Sequence, residues 1–258
     1  MNRYILIGLL VLTNFACQSQ QAQTANDSAA KKADSISNYL SNVDVSENVE
    51  SVDELIASFS DDSTVGVPHK NKIELSEFSK LKDNSVELKF YSLDEDKKWK
   101  LKQKIELIKY GGLSCDVQVK DFNNDGLKDV TYVSGIAARG ANEIRNLFIY
   151  SKEKDELVYI KNSSDYPNLL YNKTLNCIDA QLFYGGNATV FLKVDGDVLK
   201  EFALVETSST ANDRNVYSID KNGKRKLLKT DKISEDELFE RYKTFNPPTT
   251  YTAEELGL

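Results

Sequence analysis

Asp121-Phe122-Asn123-Asn124-Asp125-Gly126-Leu127-Lys128-Asp129 is an acidic run in which oxygen-bearing side chains fall at alternate positions. Proteins bind calcium through about six to eight oxygen ligands at about 2.3–2.6 Å, so a short loop has to turn several oxygens toward one point. Gly126 has no side chain and can adopt the positive φ that a tight turn requires. The spacing therefore predicts a calcium site whose ligands are the side chains of Asp121, Asn123, Asp125 and Asp129 and the backbone carbonyl of Leu127.

Strands rather than helices are expected on both sides of this loop. β-Branched and aromatic residues alternate in part before it, at Val117 and Val119, and after it, at Val130 and Tyr132. An EF-hand would need flanking helices and a bidentate glutamate at its twelfth position, where this chain has Tyr132. With about five protein ligands, we expect a calcium Kd in the weak range of about 10⁻⁴–10⁻³ M. The alternative is that the run is an acidic turn on a solvated surface.

Alternating runs separated by turn signals predict an all-β fold. Val86–Phe90 and Trp99–Leu107 alternate, and Asp195-Gly196 and Asn222-Gly223 are typical of two-residue hairpin turns. About ten to twelve such runs favour an antiparallel meander, either propeller-like or barrel-like, or a sandwich.

Two helices are expected outside the sheets. Ser234 and Glu237 have the spacing of a capping box, which predicts a C-terminal helix that continues to about Phe245. Asn246-Pro247-Pro248 would end it. The apolar side chains within Val52–Phe59 also suit a short amphipathic helix.

The N-terminal residues predict export to the cell envelope. An apolar run from Tyr4 to about Phe15 is too short to cross a bilayer but suits a secretory signal. It ends in Ala16-Cys17, which resembles the lipobox of bacterial lipoproteins, so Cys17 is the expected lipidation site. An ordinary cleaved signal and an uncleaved anchor are the alternatives. Residues 1–17 would then be the signal segment of a lipid-anchored, periplasm-facing protein.

Composition divides the remaining chain into two parts. Residues 18–50 are polar, with few large apolar side chains, and predict a flexible tether. Residues 51–258 are long enough for a single domain with its own core. The formal net charge of −7 argues against nucleic-acid binding, because phosphate neutralisation by lysine and arginine supplies most of that affinity. The oligomeric state is not indicated.

Cys115 and Cys177 are the two cysteines left after lipidation of Cys17. In an exported protein they are candidates for a disulfide, which would close a loop of about sixty residues. The alternative is two separately buried thiols.

The residue inventory favours a protein that is not an enzyme. His69 is the single histidine, and neither zinc-type cysteine and histidine spacings nor a phosphate-binding glycine loop nor a nucleophile elbow occurs. A glycosidase that uses two carboxylates is the remaining catalytic alternative.

The segment after the calcium loop is a candidate partner-binding loop. It is rich in small residues and carries a cation, and loops on a rigid β scaffold commonly hold binding sites. The alternative is a tight crossover against the sheet. The weaker candidate Tyr184-Gly185-Gly186-Asn187 is similar. The residues proposed for partner binding are Ser134, Gly135, Arg139, Gly140 and Asn142.

Two resemblances accompany these patterns. Asp121–Val130 resembles the calcium loop of FG-GAP repeats in integrin-type β-propellers. Asp121–Tyr150, with Gly135, Gly140, Asn142 and the strand Leu147–Tyr150, resembles bacterial periplasmic calcium-binding lipoproteins. One branch of that family comprises immunity proteins that block peptidoglycan-hydrolase effectors. The resemblance implies a propeller-like fold, a calcium cofactor and a protein partner of the hydrolase class. A scaffold lipoprotein whose calcium only stabilises the fold is the alternative function.

Overall fold

The computed structural model describes residues 53–80, 83–110 and 114–258. The predicted signal segment, the tether and Cys17 lie outside the described residues. Ser51–Leu258 forms one compact unit. No helix in the described ranges is both long and apolar enough to cross a membrane.

The described chain is almost entirely antiparallel β-structure, as predicted. Three sheets follow one another, and in each sheet the order of the strands in space is their order in the sequence. Sheet 1 contains β1 (Glu54–Asp61), β2 (Asn71–Ser79), β3 (Asn84–Leu93) and β4 (Trp99–Lys109). Sheet 2 contains β5 (Val117–Lys120), β6 (Asp129–Ala137), β7 (Asn142–Ser151) and β8 (Glu156–Ile160). Sheet 3 contains β9 (Leu170–Asn172), β10 (Cys177–Phe183), β11 (Asn187–Asp195), β12 (Val198–Ser208), β13 (Asp213–Ile219) and β14 (Arg225–Lys232).

The short elements lie in the connections and at the C-terminus. A two-stranded sheet is formed by β15 (Tyr242–Phe245) and β16 (Pro248–Thr250). Single 3₁₀ turns occur at Ala138–Gly140, Ser163–Asp165 and Glu235–Phe239, and the α-helix α1 spans Ala253–Leu256. In the described residues none of the sheets closes on itself, so the fold is a series of open meanders rather than a barrel.

Sheet 2 lies between two hydrophobic cores because side chains alternate along β7. Phe148 and Tyr150 pack with sheet 1 in the first core, whereas Leu147 and Ile149 pack with sheet 3 in the second core. Since successive side chains of a strand point to opposite faces, one ten-residue strand contributes to both cores. A third core forms on the far side of sheet 3, around Phe191.

The segment 238–251, here called the C-terminal strap, covers that third core. Tyr242 of the strap is fully buried in it. Five polar side chains of sheet 3 hydrogen-bond to the strap backbone. These bonds are Thr207 Oγ1 to Leu238 O (2.7 Å), Gln181 Nε2 to Phe239 O (3.0 Å), Asn187 Nδ2 to Glu240 O (2.8 Å), Tyr242 N to Thr189 Oγ1 (3.0 Å) and Asn172 Nδ2 to Lys243 O (3.1 Å).

The prediction of a helix from Ser234 to about Phe245 is wrong beyond the first turn. The Glu237 carboxylate accepts hydrogen bonds from the backbone N–H and the hydroxyl of Ser234, as the capping box predicts. The turn ends at Phe239, and the chain then extends into β15. The strap backbone is extended because its polar groups bond to sheet 3 instead of to a helical turn. The helix expected over Val52–Phe59 is also wrong where the structure describes it, since Glu54–Asp61 is a strand paired with β2.

The prediction of a disulfide between Cys115 and Cys177 is also wrong. Cys115 and Cys177 are free and buried, and they lie in different cores, the first and the third. Burial raises the pKa of both thiols to about 12. The alternative of two separately buried thiols is therefore the one that the structure adopts.

Candidate functional site

The acidic loop connects β5 to β6 and is anchored in both cores of sheet 2. Phe122 is 3% exposed and packs in the second core. Leu127 packs against the first core. The Gly66 N–H also donates to the Lys128 carbonyl at 2.9 Å, which ties the loop to the segment before β2. The loop is thus fixed at three points outside its own sequence.

Carboxylates set the curvature of the loop by accepting its backbone N–H groups. Asp121 accepts from Asn124 at 2.6 Å and from Gly126 at 3.0 Å. Asp125 accepts from Leu127 at 2.8 Å and from the side-chain amide of Asn123 at 2.9 Å. Gly126 has φ 84°, in the left-handed region where the predicted tight turn needs a glycine.

Asp129 ends the loop as a fully buried carboxylate. One oxygen accepts the Phe122 N–H at 2.7 Å and the other accepts the Tyr150 N–H at 2.9 Å, so the residue joins the start of the loop to β7. Burial raises the pKa of Asp129 to about 7; the two N–H groups oppose the shift, and the charges of Asp125 and Asp121 add to it. Within the described ranges, no lysine or arginine forms an ion pair with Asp121, Asp125 or Asp129.

The donor chemistry of the loop fits a hard cation such as calcium. The predicted ligands are all oxygens, and three of them are carboxylates that repel one another without a paired cation. Asn123 is turned toward Asp125, whose N–H it accepts at 3.1 Å. Among the described residues, however, no three His, Cys, Asp or Glu side chains converge into a group that could hold a metal ion. The carboxylates of Asp121, Asp125 and Asp129 accept hydrogen bonds from backbone N–H groups instead.

The candidate partner-binding residues divide into buried and exposed sets. Ser134 is buried, with its hydroxyl 3.3 Å from the Ile144 carbonyl, and Gly135 is buried in β6. Arg139 and Gly140 are exposed at the tip of the β6–β7 loop, both with positive φ. Asn142 bonds to both backbone groups of Phe183, each at 3.0 Å. Only the tip of the loop is therefore free to contact a partner, and Asn142 holds it against β10.

Through Asn142, the structure brings together the two loops that the sequence singled out. A groove of about 460 Å³ runs between Ala138 and Ala141, on either side of Arg139, and the Tyr184–Gly186 turn. Tyr184 (55% exposed) and Phe239 (62% exposed) line it. We call Arg139, Tyr184 and Phe239 the rim surface. The sequence analysis did not single out Phe239, which lies within the predicted C-terminal helix.

A second groove is lined by residues of β4, β6, β7 and β8. It has a volume of about 830 Å³ and is lined by Ser134 and Gly135 together with exposed Ile108, Tyr110 and Ile136. The β6–β7 hairpin therefore contributes residues to two grooves, each lined in part by exposed apolar side chains.

Comparison with known proteins places the chain in no family. No family model matches it, and no curated protein matches it. It is similar to a solved structure described as "Structure of a Xanthomonas Type IV Secretion System related protein", with 11% sequence identity and a TM-score of 0.43. That match covers 69% of this chain and 98% of the other.

Proposed function

We propose that this protein is a calcium-binding lipoprotein of the cell envelope, anchored through Cys17, whose β domain docks a protein partner. The single observation that carries the calcium part is Asp129. This carboxylate is fully buried beside two further carboxylates, and no lysine or arginine in the described ranges pairs with any of the three.

Electrostatics favours a divalent cation in this loop. Burying a charged carboxylate costs several kcal/mol unless it is paired, and two N–H donors offset only part of that cost. A bound calcium ion would supply the missing positive charge. The ion would be held by the side chains of Asp121, Asn123, Asp125 and Asp129 and by the Leu127 carbonyl. Its positive charge would then offset the negative charge of Asp129, which the carboxylates of Asp121 and Asp125 otherwise repel.

A calcium titration by calorimetry tests this proposal. We expect one site with a Kd in the range of about 10⁻⁴–10⁻³ M. Asp125→Ala should weaken binding by at least about tenfold, because it removes a charged ligand. The matched control is Asp220→Ala, since Asp220 likewise accepts two turn N–H groups, from Asn222 at 2.9 Å and Lys224 at 3.0 Å, outside the acidic loop. Absence of binding by the unaltered chain, or equal loss in both variants, would contradict the proposal.

The rim surface supports the partner-docking part. Protein interfaces are enriched in tyrosine, phenylalanine and arginine, and a few such residues carry most of the binding energy. Tyr184 and Phe239 line one groove, and Arg139 is exposed between Ala138 and Ala141, which also line it. The resemblance implies that the partner is a peptidoglycan hydrolase, and the chain would act by covering part of the hydrolase surface.

Affinity capture from an envelope extract, with the full chain as bait, tests the docking surface. Combined Tyr184→Ser and Phe239→Ser substitutions should lower recovery of the partner by at least about tenfold, because each removes a candidate hot spot. Leu101→Ser is the matched control, since Leu101 is also an exposed apolar residue but lies on β4. The captured protein should clear cell-wall suspensions more slowly when the chain is added.

The same experiment separates docking from a scaffold role. Tyr110 lines the groove of about 830 Å³. If Tyr110→Ser abolishes capture and the rim substitutions do not, that groove is the docking surface. If neither substitution changes capture, or if nothing is captured with or without chelator, the docking proposal fails. The remaining function is then that of a scaffold lipoprotein whose calcium only stabilises the fold.

A further inference from the structure

Residues 221–232, here called the basic hairpin end, carry a charge opposite to that of the chain as a whole. They contain Asp231 and six cations, which gives a formal charge of +5. Because the whole chain has −7, the remaining residues together carry −12. The six cations are Lys221, Lys224, Arg225, Lys226, Lys229 and Lys232.

The structure concentrates these charges on one exposed edge. The segment comprises the Asn222-Gly223 turn and β14, which is the last strand of sheet 3, and every residue from 221 to 230 is exposed. Three of the cations have acidic partners: Lys229 pairs with Asp231 at 2.8 Å, Lys232 with Asp213 at 2.7 Å and Arg225 with Glu201 at 3.8 Å. Lys221, Lys224 and Lys226 form no ion pair with any described residue. Asp220, at the base of the turn, is engaged with backbone N–H groups.

Protection of the sheet edge does not explain the whole arrangement. Lysines on an edge strand prevent pairing with other sheets, and β14 is such a strand. Leu227 (52% exposed) and Leu228 (44% exposed) lie among these lysines, and exposed leucines make an edge more prone to association. Lys221 and Lys224 also lie outside the strand, where they protect no edge.

Cations that surround two exposed leucines match the chemistry of an anionic lipid surface. Lysine and arginine side chains near such a surface are attracted to lipid phosphates, and the attraction extends over about one Debye length. Transfer of leucine side chains from water to the boundary between headgroups and acyl chains is favourable. Nucleic acid would engage the cations but would offer the leucines nothing comparable.

We propose that the basic hairpin end docks on an anionic phospholipid surface, with Lys221, Lys224 and Lys226 against the phosphates and Leu227 and Leu228 at the headgroup boundary. Docking through this edge covers β14, which has no neighbouring strand on its outer side in the described residues. The proposal does not depend on calcium or on the protein partner.

Hydrogen exchange of the full chain on lipid vesicles tests the proposal. Because the N-terminal segment is expected to bind any bilayer, the readout is confined to backbone amides of residues 221–232. These amides should exchange more slowly on vesicles of phosphatidylcholine and phosphatidylglycerol in equal parts than on phosphatidylcholine alone. Raising the ionic strength to about 1 M, where the Debye length is about 3 Å, should remove the difference.

Charge-matched variants make the result specific. The combined substitutions Lys221→Gln, Lys224→Gln and Lys226→Gln should abolish the anionic-specific protection. Lys97→Gln, Lys98→Gln and Lys100→Gln remove the same charge from exposed positions at the β3–β4 turn and should leave it intact. Leu227→Ser with Leu228→Ser should reduce it.

Three outcomes would overturn the proposal. The first is no protection on the anionic vesicles, and the second is equal protection on both kinds of vesicle. The third is protection by duplex DNA as strong as that by vesicles, with no effect of the leucine substitutions, which would make the segment a general polyanion site.

Discussion

Asp179→Ala is expected to lower the free energy of unfolding by about 3–5 kcal/mol, because removing one partner of a buried ion pair leaves the other charge uncompensated. Asp179 is fully buried in β10, and Arg241 of the strap is buried against it. The arginine donates from Nε to the Asp179 carboxylate at 2.8 Å, and from Nη2 to both the carboxylate and the Asp179 carbonyl. Asn172 at 2.8 Å and Tyr251 at 2.6 Å donate to the other carboxylate oxygen.

Urea denaturation followed by circular dichroism measures this loss. The control is Glu254→Ala, an exposed carboxylate near the end of the chain, which should change stability by no more than about 0.5 kcal/mol. Combining Asp179→Leu with Arg241→Met removes both charges and should recover much of the loss, since replacing both partners with apolar groups is often close to neutral. A loss below about 1 kcal/mol for Asp179→Ala would mean that the pair does not secure the strap.

Calcium at about 100-fold above its Kd is expected to raise the Tm by about 5–10 °C. At that ratio, a ligand that binds only the folded state adds about 2.7 kcal/mol, and a domain of this size gains about 2–4 °C for each kcal/mol. The gain follows from the position of the loop, since Phe122 and Leu127 hold it in separate cores and Asp129 bonds to β7. Differential scanning calorimetry with calcium or with chelator measures the shift.

Asp129→Asn should abolish this calcium-dependent gain. The amide retains an oxygen that can accept a hydrogen bond, but it lacks the charge that attracts the ion. Asp220→Asn, in the turn before β14, should keep the full gain. The calcium assignment fails if the unaltered chain melts at the same temperature in calcium and in chelator, or if Asp129→Asn responds as the unaltered chain does.

Local pattern was enough to predict many of the strands of the three sheets, but not β1. Val86–Phe90 and the hairpin signals at Asp195-Gly196 and Asn222-Gly223 all lie where the structure has antiparallel strands and their turns. Alternation succeeds here because each such strand packs one face on a core. Leu55 and Phe59 fit a helical face as well as a strand, and pairing with β2 decided in favour of the strand.

The strap could not be predicted because its determinants are distant in the sequence. Asp179 and Arg241 are 62 residues apart, and neither has a local pattern that marks it as half of a buried pair. Tyr242 lies within the predicted helix, but its N–H donates to the Thr189 hydroxyl of sheet 3, which favours an extended backbone. The two cysteines were misjudged for the same reason, since spacing along the chain does not show that they face different cores.

For the candidate site, the sequence predicted the curvature of the acidic loop but not the burial of Asp129. Alternate carboxylates and Gly126 indicated a tight turn, which the structure has. Asp129 is buried because β7 lies beside it, a contact between segments about twenty residues apart. The density of lysine and arginine in residues 221–232 was visible in the sequence and could have indicated the basic hairpin end.

The C-terminal strap has a consequence for biosynthesis. Its residues follow sheet 3 in the sequence, so sheet 3 leaves the ribosome before the segment that shields Phe191 and satisfies Asp179. Until the strap has also emerged, that face of the sheet is open to chaperones and to aggregation. Deletion of residues 238–251, the strap alone, would uncover Phe191 and leave Asp179 without Arg241, so the shortened product would be a target for proteolysis.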